Sequence, residues 1–554
     1  MSLKISGVRS RGRRRSTVQD RSYTNPGKGL DLFGSEEFIG DSEASSAMNA
    51  FIVETGSVSK PFGWEEVGTG LTGAPRGLMS YYPTGSDSTL VTIDSTDLVL
   101  KYLSGSVWQT AAGGITFGTT AKVCGVQAGG ALWVWNGVNS GTKLLGTTAS
   151  RPTTTVRGAF GVYYSDKQIV SGVAEHPNRL YISSPIDAGD FTNTNPTGTG
   201  PYSVYDANTH PGASTFAGSD AAYIDIALDD GDKITGLGKY VEQLIIVKER
   251  AIYAMLFDAN GNPAINLVTS SVGCVSHWSI DSSDNDIIFL GRRAWYVFGT
   301  QQNFFNQLRH NELSIQLRPL VKSITPTNLD KSSGIWFDNV YHCAISVGNA
   351  AMNNRAVTYQ RQYGAWFPHN NVQANAFTAF IGADNEEHLY YADENDPKVW
   401  KQTTGYAHGT NAIAMFWESK SYDFGKWALY KRFIDVTLLF RQLSGSVDVT
   451  ITIDGSKASL TKTIPGTRFA GGMGRGLLGK TLFGGASESG VGDSSSTTTN
   501  IPIRIDLSEL SQPGRAIKVK VANSNVNENF VLLGLEFGYR PYGRSTFDSA
   551  LRVY

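Results

Sequence analysis

Charge is scarce in this 554-residue chain. Asp, Glu, Lys and Arg together make up 18% of it, against about 25% in an ordinary soluble domain. Surfaces covered by neighbouring subunits tolerate few unpaired charges, so the shortfall points to an assembled protein; an all-β chain rich in Ser and Thr is the plainer reading. The formal net charge is −1, which argues against a globally basic nucleic-acid binder. Cysteine is nearly absent. Cys124, Cys274 and Cys343 lie far apart with no CxxC pair, so neither a disulfide framework nor a structural zinc site is expected, and assembly in a reducing cytoplasm fits. No apolar run approaches the roughly 18 residues of a membrane helix, and no apolar segment follows the N-terminal arginines, so no secretory signal is expected. The histidines are His176, His210, His277, His310, His342, His369, His388 and His408. They share no metal-ligand spacing and no HExxH, and His277 and His342 read as structural residues of strands.

What the chain does have is one pattern repeated. ITGLGKYVEQLIIVKERAIYAM, from Ile234 to Met255, places strand-like runs at 243–248 and 251–255 around the turn Glu249-Arg250. DIIFLGRRAWYVFG (286–299), GIWFDNVYHCAISVG (334–348) and the segment from Ala376 to Ala392 repeat it. Short strands at this density, joined by Gly, Asn and Asp turns, predict an all-β protein. Radial repetition gives small sheets neighbours and leaves few free edges, so a β-propeller core is expected. The period is too irregular to give a blade count.

Three regions follow. Residues 1–75 form an extended N-terminal arm and the segment leading into the body, with one or two helical turns expected at 42–50. Lys4, Arg9, Arg11, Arg13, Arg14, Arg15 and Arg21 face only Asp20 there. Such a run reads as a solvated tail, a partner for acidic groups on a neighbouring subunit, or a phosphate contact, in falling order. Residues 76–410 form the propeller-like domain, interrupted by a decorated loop at 184–232. Residues 411–554 form a β-sandwich: Val447, Val449, Ile451 and Ile453 alternate, as do Ile517, Val519 and Val521 and the long run through Val531, Leu533, Leu535 and Phe537. Within it, 466–500 is a Gly-rich insertion expected to order against a neighbour.

No constellation carries obvious chemistry. The carboxylate clusters Asp229-Asp230-Gly231-Asp232, Asp384-Asn385-Glu386-Glu387 and Asp393-Glu394-Asn395-Asp396 fall where turns favour Asp and Asn. A glycosidase pair is the sharper but weaker reading. The first cluster could hold a cation loosely, without the calcium-loop spacing. GRGLLGKT, from Gly474 to Thr481, fits the phosphate-loop pattern in letters, yet no helix follows it. Trp133, Trp135, Trp295, Trp336 and Trp366 could offer stacking platforms to a sugar, although most sit inside strand runs. No catalytic residue, metal or cofactor is expected.

In order along the chain, HPNRLYISSPIDAGDF (176–191), the 221–255 and 271–299 segments, and LGLEFGYRPYGR (533–544) resemble the tail hub or nozzle proteins of short-tailed bacteriophages and related stopper-like tail proteins. The resemblance covers roughly 170–440 well and the ends loosely. It implies a non-enzymatic virion component assembled in the bacterial host cytoplasm. Six copies would form a ring that extends and gates the DNA ejection channel. The ring would dock a tail adaptor and fibre or spike proteins while genomic DNA passes through. Arg13, Arg14, Arg15, Arg468, Arg475 and Lys480 are the assembly or channel candidates. The alternative is a carbohydrate- or cell-surface-binding propeller used in host adsorption.

Overall fold

The computed structural model describes residues 18–541 except 86, 120, 153–155, 186, 192–201, 204–220, 228–229, 258–262, 284–285, 302–306, 383, 456–457, 467–499 and 511. The chain is all-β: a β-propeller core carried on a β-sandwich. Each predicted hairpin is the unit of a small antiparallel sheet. The strand-rich spans 75–110, 124–150, 160–225, 234–269, 281–312, 333–369 and 374–402 build blades 1 to 7 in chain order. The innermost strands are Pro75–Tyr81, Cys124–Ala128, Phe160–Tyr164, Ile234–Tyr240, Asp281–Ser283, Ser333–Phe337 and Ala374–Ile381. Each packs beside the next, and the last packs beside the first, so the ring closes.

Closure depends on residues from the far end of the sequence. Blade 7 takes its fourth strand, Trp64–Glu66, from ahead of blade 1; it pairs antiparallel with Val399–Gln402, Trp400 opposite Glu66 and Gln402 opposite Trp64. Nearer the axis, the inner strands of blades 7 and 1 each carry a bulge, at Ala374/Ala376 and Pro75/Leu78. Bulges re-aim side chains. Here Asn375 and Arg76 converge on the buried Glu394, with Arg76 donating to Oε1 at 2.9 Å and Asn375 to Oε2 at 3.2 Å. Apolar packing fills the same seam, Leu78, Leu90 and Trp108 of blade 1 meeting Ala376, Phe380 and Tyr390 of blade 7.

The sandwich is discontinuous. One sheet runs Gln19–Thr24, Asn529–Pro541, Lys431–Ser444, Ile501–Asp506, with Val58–Ser59 also on Asn529–Pro541; the other runs Ala44–Met48, Met415–Ser419, Ile517–Asn523, Val447–Ile453, Ala458–Ile464. The sequence divides the chain linearly; the structure instead threads 19–59 back through the sandwich. The described part of the arm is extended, and the surface it lies on belongs to its own chain. The helical turns expected at 42–50 are replaced by the strand Ala44–Met48, paired with Met415–Ser419. Its small side chains Ala44 and Ala47 are buried, and the strand packs on blade 6 as well as on its sheet. His277, expected in a strand, sits in a 3₁₀ turn, His277–Ser279, while His342 lies in the strand Val340–Ile345.

The two domains share one core, in which Trp295, Tyr341 and Trp366 of blades 5 and 6 pack with Trp417, Phe440 and Phe537 of the sandwich. The threaded segment is bonded to blade 6. Leu30 N–H donates to Trp366 O at 3.1 Å, Asn49 N–H to Pro368 O at 2.9 Å, and Gln360 bonds both the amide and the carbonyl of Ile52. Gly29 makes this approach possible. Its φ is +90°, and a Cβ there would stand 2.8 Å from Trp366 N.

Replacing Glu394 by Gln removes the charge that Arg76 needs while leaving the guanidinium in place. Breaking a buried pair from one side costs about 3 kcal/mol or more. The Glu394→Gln variant is therefore expected to unfold in urea at a clearly lower midpoint, and a loss below about 1 kcal/mol would show that the polar seam is not what closes the ring.

Candidate functional site

Among the described residues, two of the cavities lined by polar side chains bear on chemistry. The first is on the propeller axis, where a space of 350 Å³ is bounded by Met79, Val123, Cys124, Trp278, Ser333 and Phe377, among others. Cys124 Sγ lies 3.4 Å from His277 Nε2, residue types that in other settings make a nucleophile and its base. The geometry here excludes that. Leu237 N–H donates to His277 Nδ1 at 3.3 Å, so the ring proton sits on Nε2 and faces the sulfur. Burial pulls His277 down to about 3, helped by the nearby Lys122 ammonium, and pushes the Cys124 thiol up to about 11. A protonated thiol facing an N–H is inert. Lys122 lies 4.9 Å from the Trp278 ring centroid and donates to Lys331 O at 3.2 Å. Enclosure pulls its ammonium down to about 7.

The second place is a cleft of 670 Å³ at the outer end of blade 7. Four separate segments supply it: Phe62 and Glu65 from the ring-closing strand and its approach, Phe337 and Asp338 from a blade 6 turn, Glu387 and His388 from blade 7, and Lys401 with Thr403 from the strand that follows. The phenyl ring of Phe62 is fixed by stacking on Tyr406, with centroids 6.2 Å apart. At the lip, Asp384 Oδ2 is 2.7 Å from His388 Nε2 and 3.7 Å from Lys401 Nζ. The bond from His388 holds the Asp384 carboxyl below its usual range. Asp384, Glu386 and His388 bring ligand atoms within 4.8 Å of one another, a spacing that a divalent cation could use; the Lys401 ammonium competes for the same place. Among the described residues, cleft and lip together carry the carboxylates of Glu65, Asp338, Asp384, Glu386 and Glu387 against one lysine, Lys401.

The candidates drawn from the sequence fare unevenly. Arg13, Arg14, Arg15, Arg468, Arg475 and Lys480 lie outside the described residues, as does the phosphate-loop-like 474–481. The cation position suspected beside Asp230 and Asp232 is filled by the chain itself. Lys248 Nζ, fully buried, meets Asp230 Oδ2 at 2.7 Å, Ala227 O at 3.1 Å and Asp232 O at 3.3 Å. Lys101 does the same for Asp94 and Asp97 in blade 1, and Lys60 and Lys431 cap turns of the sandwich through carbonyls. The 393–396 cluster is a turn, as expected: Asp393 Oδ1 accepts from the amides of Asn395 and Asp396. Trp133, Trp135, Trp295 and Trp366 are fully buried and cannot stack on an external sugar; Trp336 is half-buried beneath Arg361. Reading the sequence missed the cleft, because no local motif links 62–65, 337–338, 387–389 and 401–404.

No family model matches the chain, and no curated protein does. Solved structures of similar fold include virginiamycin B lyase from Staphylococcus aureus, 11% identical over 62% of this chain and 99% of that one, with a TM-score of 0.38. A structure described as YCF48 bound to D1 peptide is 8% identical over 65% and 98%, TM-score 0.36, and BamB from Moraxella catarrhalis 10% identical over 62% and 93%, TM-score 0.28. At such distances, none of them bears on activity or ligand. Among the described residues no helix is long and apolar enough to cross a membrane.

Two measurements check these buried thiols and imidazoles. The three cysteines are buried, so an aromatic disulfide reagent at neutral pH is expected to titrate all of them after unfolding and none quickly before it; rapid reaction of Cys124 in the folded protein would restore a thiolate. Burial also pulls His342 down to about 4 and His369 to about 3. These imidazoles stay neutral when folded, while unfolded histidine takes a proton below about 6.5. Stability is therefore full above that pH and falls as pH drops toward 4, by about 1.4 kcal/mol per histidine per pH unit. Asp281, pushed up to about 6 by burial, acts with opposite sign and is outnumbered. The urea midpoint should be lower at pH 4.5 than at pH 7, and His369→Gln should lessen the drop; a flat profile contradicts this.

Proposed function

We propose that the chain is a structural, ring-forming component of a bacteriophage tail, a hub or nozzle subunit that extends and gates the channel for DNA and docks other tail proteins. The observation that carries the reading is the open flank of the sandwich. The edge strand of one sheet, Ala458–Ile464, leads into the 466–500 insertion, and Ile501–Asp506, the edge strand of the other sheet, leads out of it. Among the described residues neither edge has a further strand partner, and in sequence the Gly-rich segment joins the two. Lys462, Pro502 and Arg504 on those edges discourage strand-to-strand aggregation, so contact there must be specific. Head-to-tail neighbours in a ring meet at such flanks. The propeller, held to the sandwich by a common core, would project as a rigid arm. The sequence resemblance supports the tail setting and the non-enzymatic role, and implies six-fold symmetry.

A second reading is carbohydrate binding at a host surface. The blade 7 cleft favours it, since phenyl rings and carboxylates suit sugar faces and hydroxyls. Glycan-array binding by the isolated chain would support it.

Native mass measurement in the presence of tail partners is expected to give a closed cyclic oligomer, six-fold in mass. Monomer alone, with those partners present, would overturn the ring. The partners matter because rings of this type can require a template.

A further inference from the structure

We propose that the blade 7 cleft receives the arginine-rich N-terminal arm of a second copy of this chain; the choice of a second copy rests on the ring reading above. The cleft has the chemistry of a guanidinium site. Carboxylates at Glu65, Asp338 and Glu387 flank the phenyl rings of Phe62 and Phe337. Arginine pairs with carboxylates through charge-assisted bonds and lies flat on aromatic rings. Among the described residues this fold already uses that pairing three times. Arg318 donates to both oxygens of Glu312 at 3.1 Å and lies 5.3 Å from the Phe33 centroid. Arg179 donates to both oxygens of Asp225 at 2.7 and 2.8 Å and lies 4.1 Å from the Tyr223 centroid. Arg361 pairs with Asp286 and lies 5.9 Å from the Trp336 centroid. In the cleft the carboxylates and rings are assembled, and among the described residues Lys401, beside Asp384, is the single Lys or Arg of its lining.

The arm supplies what is missing. The first 21 residues hold seven basic side chains and one acidic, so the remaining 533 carry a net charge of −7. The arm thus holds a local excess of cations over anions, in a segment too polar to bury itself.

Position favours a second copy over the same one. The cleft adjoins the Asn529 end of the strand Asn529–Pro541, because Phe62 follows Lys60, whose ammonium bonds Asn525 O and Glu528 O. The arm leaves at the opposite end, where Gln19 pairs with Tyr539, roughly 33 Å along the strand. Seventeen residues span at most about 60 Å. An arm reaching its own cleft would spend more than half of that doubling back; one reaching a second copy need not.

The test uses the full chain and a fluorescein-labelled peptide of residues 1–18. The peptide should bind, weaken with added salt, and lose about tenfold in affinity when Glu65→Gln and Glu387→Gln are combined. Both side chains are exposed, so the fold should survive, as an unchanged urea midpoint would verify. Unchanged affinity in that double variant overturns the site, whatever the oligomeric state. Carbodiimide coupling of mixed light and heavy-isotope protein then identifies the occupant. Hybrid cross-links from Lys4 to Glu65, Asp338 or Glu387, lost in Arg13→Glu/Arg14→Glu/Arg15→Glu, support it. Links confined to one copy, or to other carboxylates, overturn the second-copy assignment. A ring that forms with no such links leaves the tail reading standing and removes this one.

Discussion

Everything in this molecule waits on the closing of a ring. Each blade is a sheet of four to six short strands with two apolar faces, and neither face is covered until a neighbouring blade arrives. The spaces between blades are filled one after another: Val91, Ile93 and Leu132 between blades 1 and 2, Ile245, Ile252 and Phe289 between blades 4 and 5, Phe377 and Tyr391 with Ala344 between blades 6 and 7. Such a chain of cores has two loose ends unless the last meets the first. The seam joins them three ways, by backbone pairing of Trp64–Glu66, by apolar packing, and by Arg76 and Asn375 on Glu394. The polar part supplies register more than energy. A buried carboxylate with two donors from different blades tolerates only one alignment of the ends.

The same economy fixes the propeller to the sandwich. Strand Ala44–Met48 and the residues on either side lie between a sheet and a blade, bonded to both. Buried lysines do comparable work in the turns. Lys60, Lys101, Lys248 and Lys431 each bring an ammonium to carbonyls or carboxylates that would otherwise face inward unpaired. A protein with little charge on average has placed part of it inside.

Much of this was legible in the sequence, and for a physical reason. Strand runs such as 131–135 and 243–248 coincide with the observed strands Ala131–Trp135 and Gln243–Lys248, because alternation and turn residues are local signals. The buried alternation of Ile517, Val519 and Val521 is local too. Blade number was not legible, since the 184–232 loop stretches blade 3 and the seventh blade borrows a strand from 64–66. The fate of 42–50 depended on partners some 370 residues away. The cleft was invisible because its carboxylates come from three distant segments, and its one visible piece, 384–387, reads as the hairpin turn that it is. His277 and Cys124 are separated by 153 positions, and only the Leu237 amide reveals that their chemistry is blocked.

The interleaved sandwich has a consequence for how the chain comes into being. Strands Gln19–Thr24, Ala44–Met48 and Val58–Ser59 leave the ribosome first, but their partners Met415–Ser419 and Asn529–Pro541 leave near the end. At about 5–20 residues per second, the first strands wait tens of seconds with their backbone unpaired, while seven blades form behind them. Trp64–Glu66 waits almost as long for Val399–Gln402. The charged edge QDRSYT and the arginines ahead of it keep that waiting segment soluble. The few apolar side chains of the segment leading into and through Gln19–Thr24, a strand that stays largely exposed, suit a stretch that must wait in water before its partner is made.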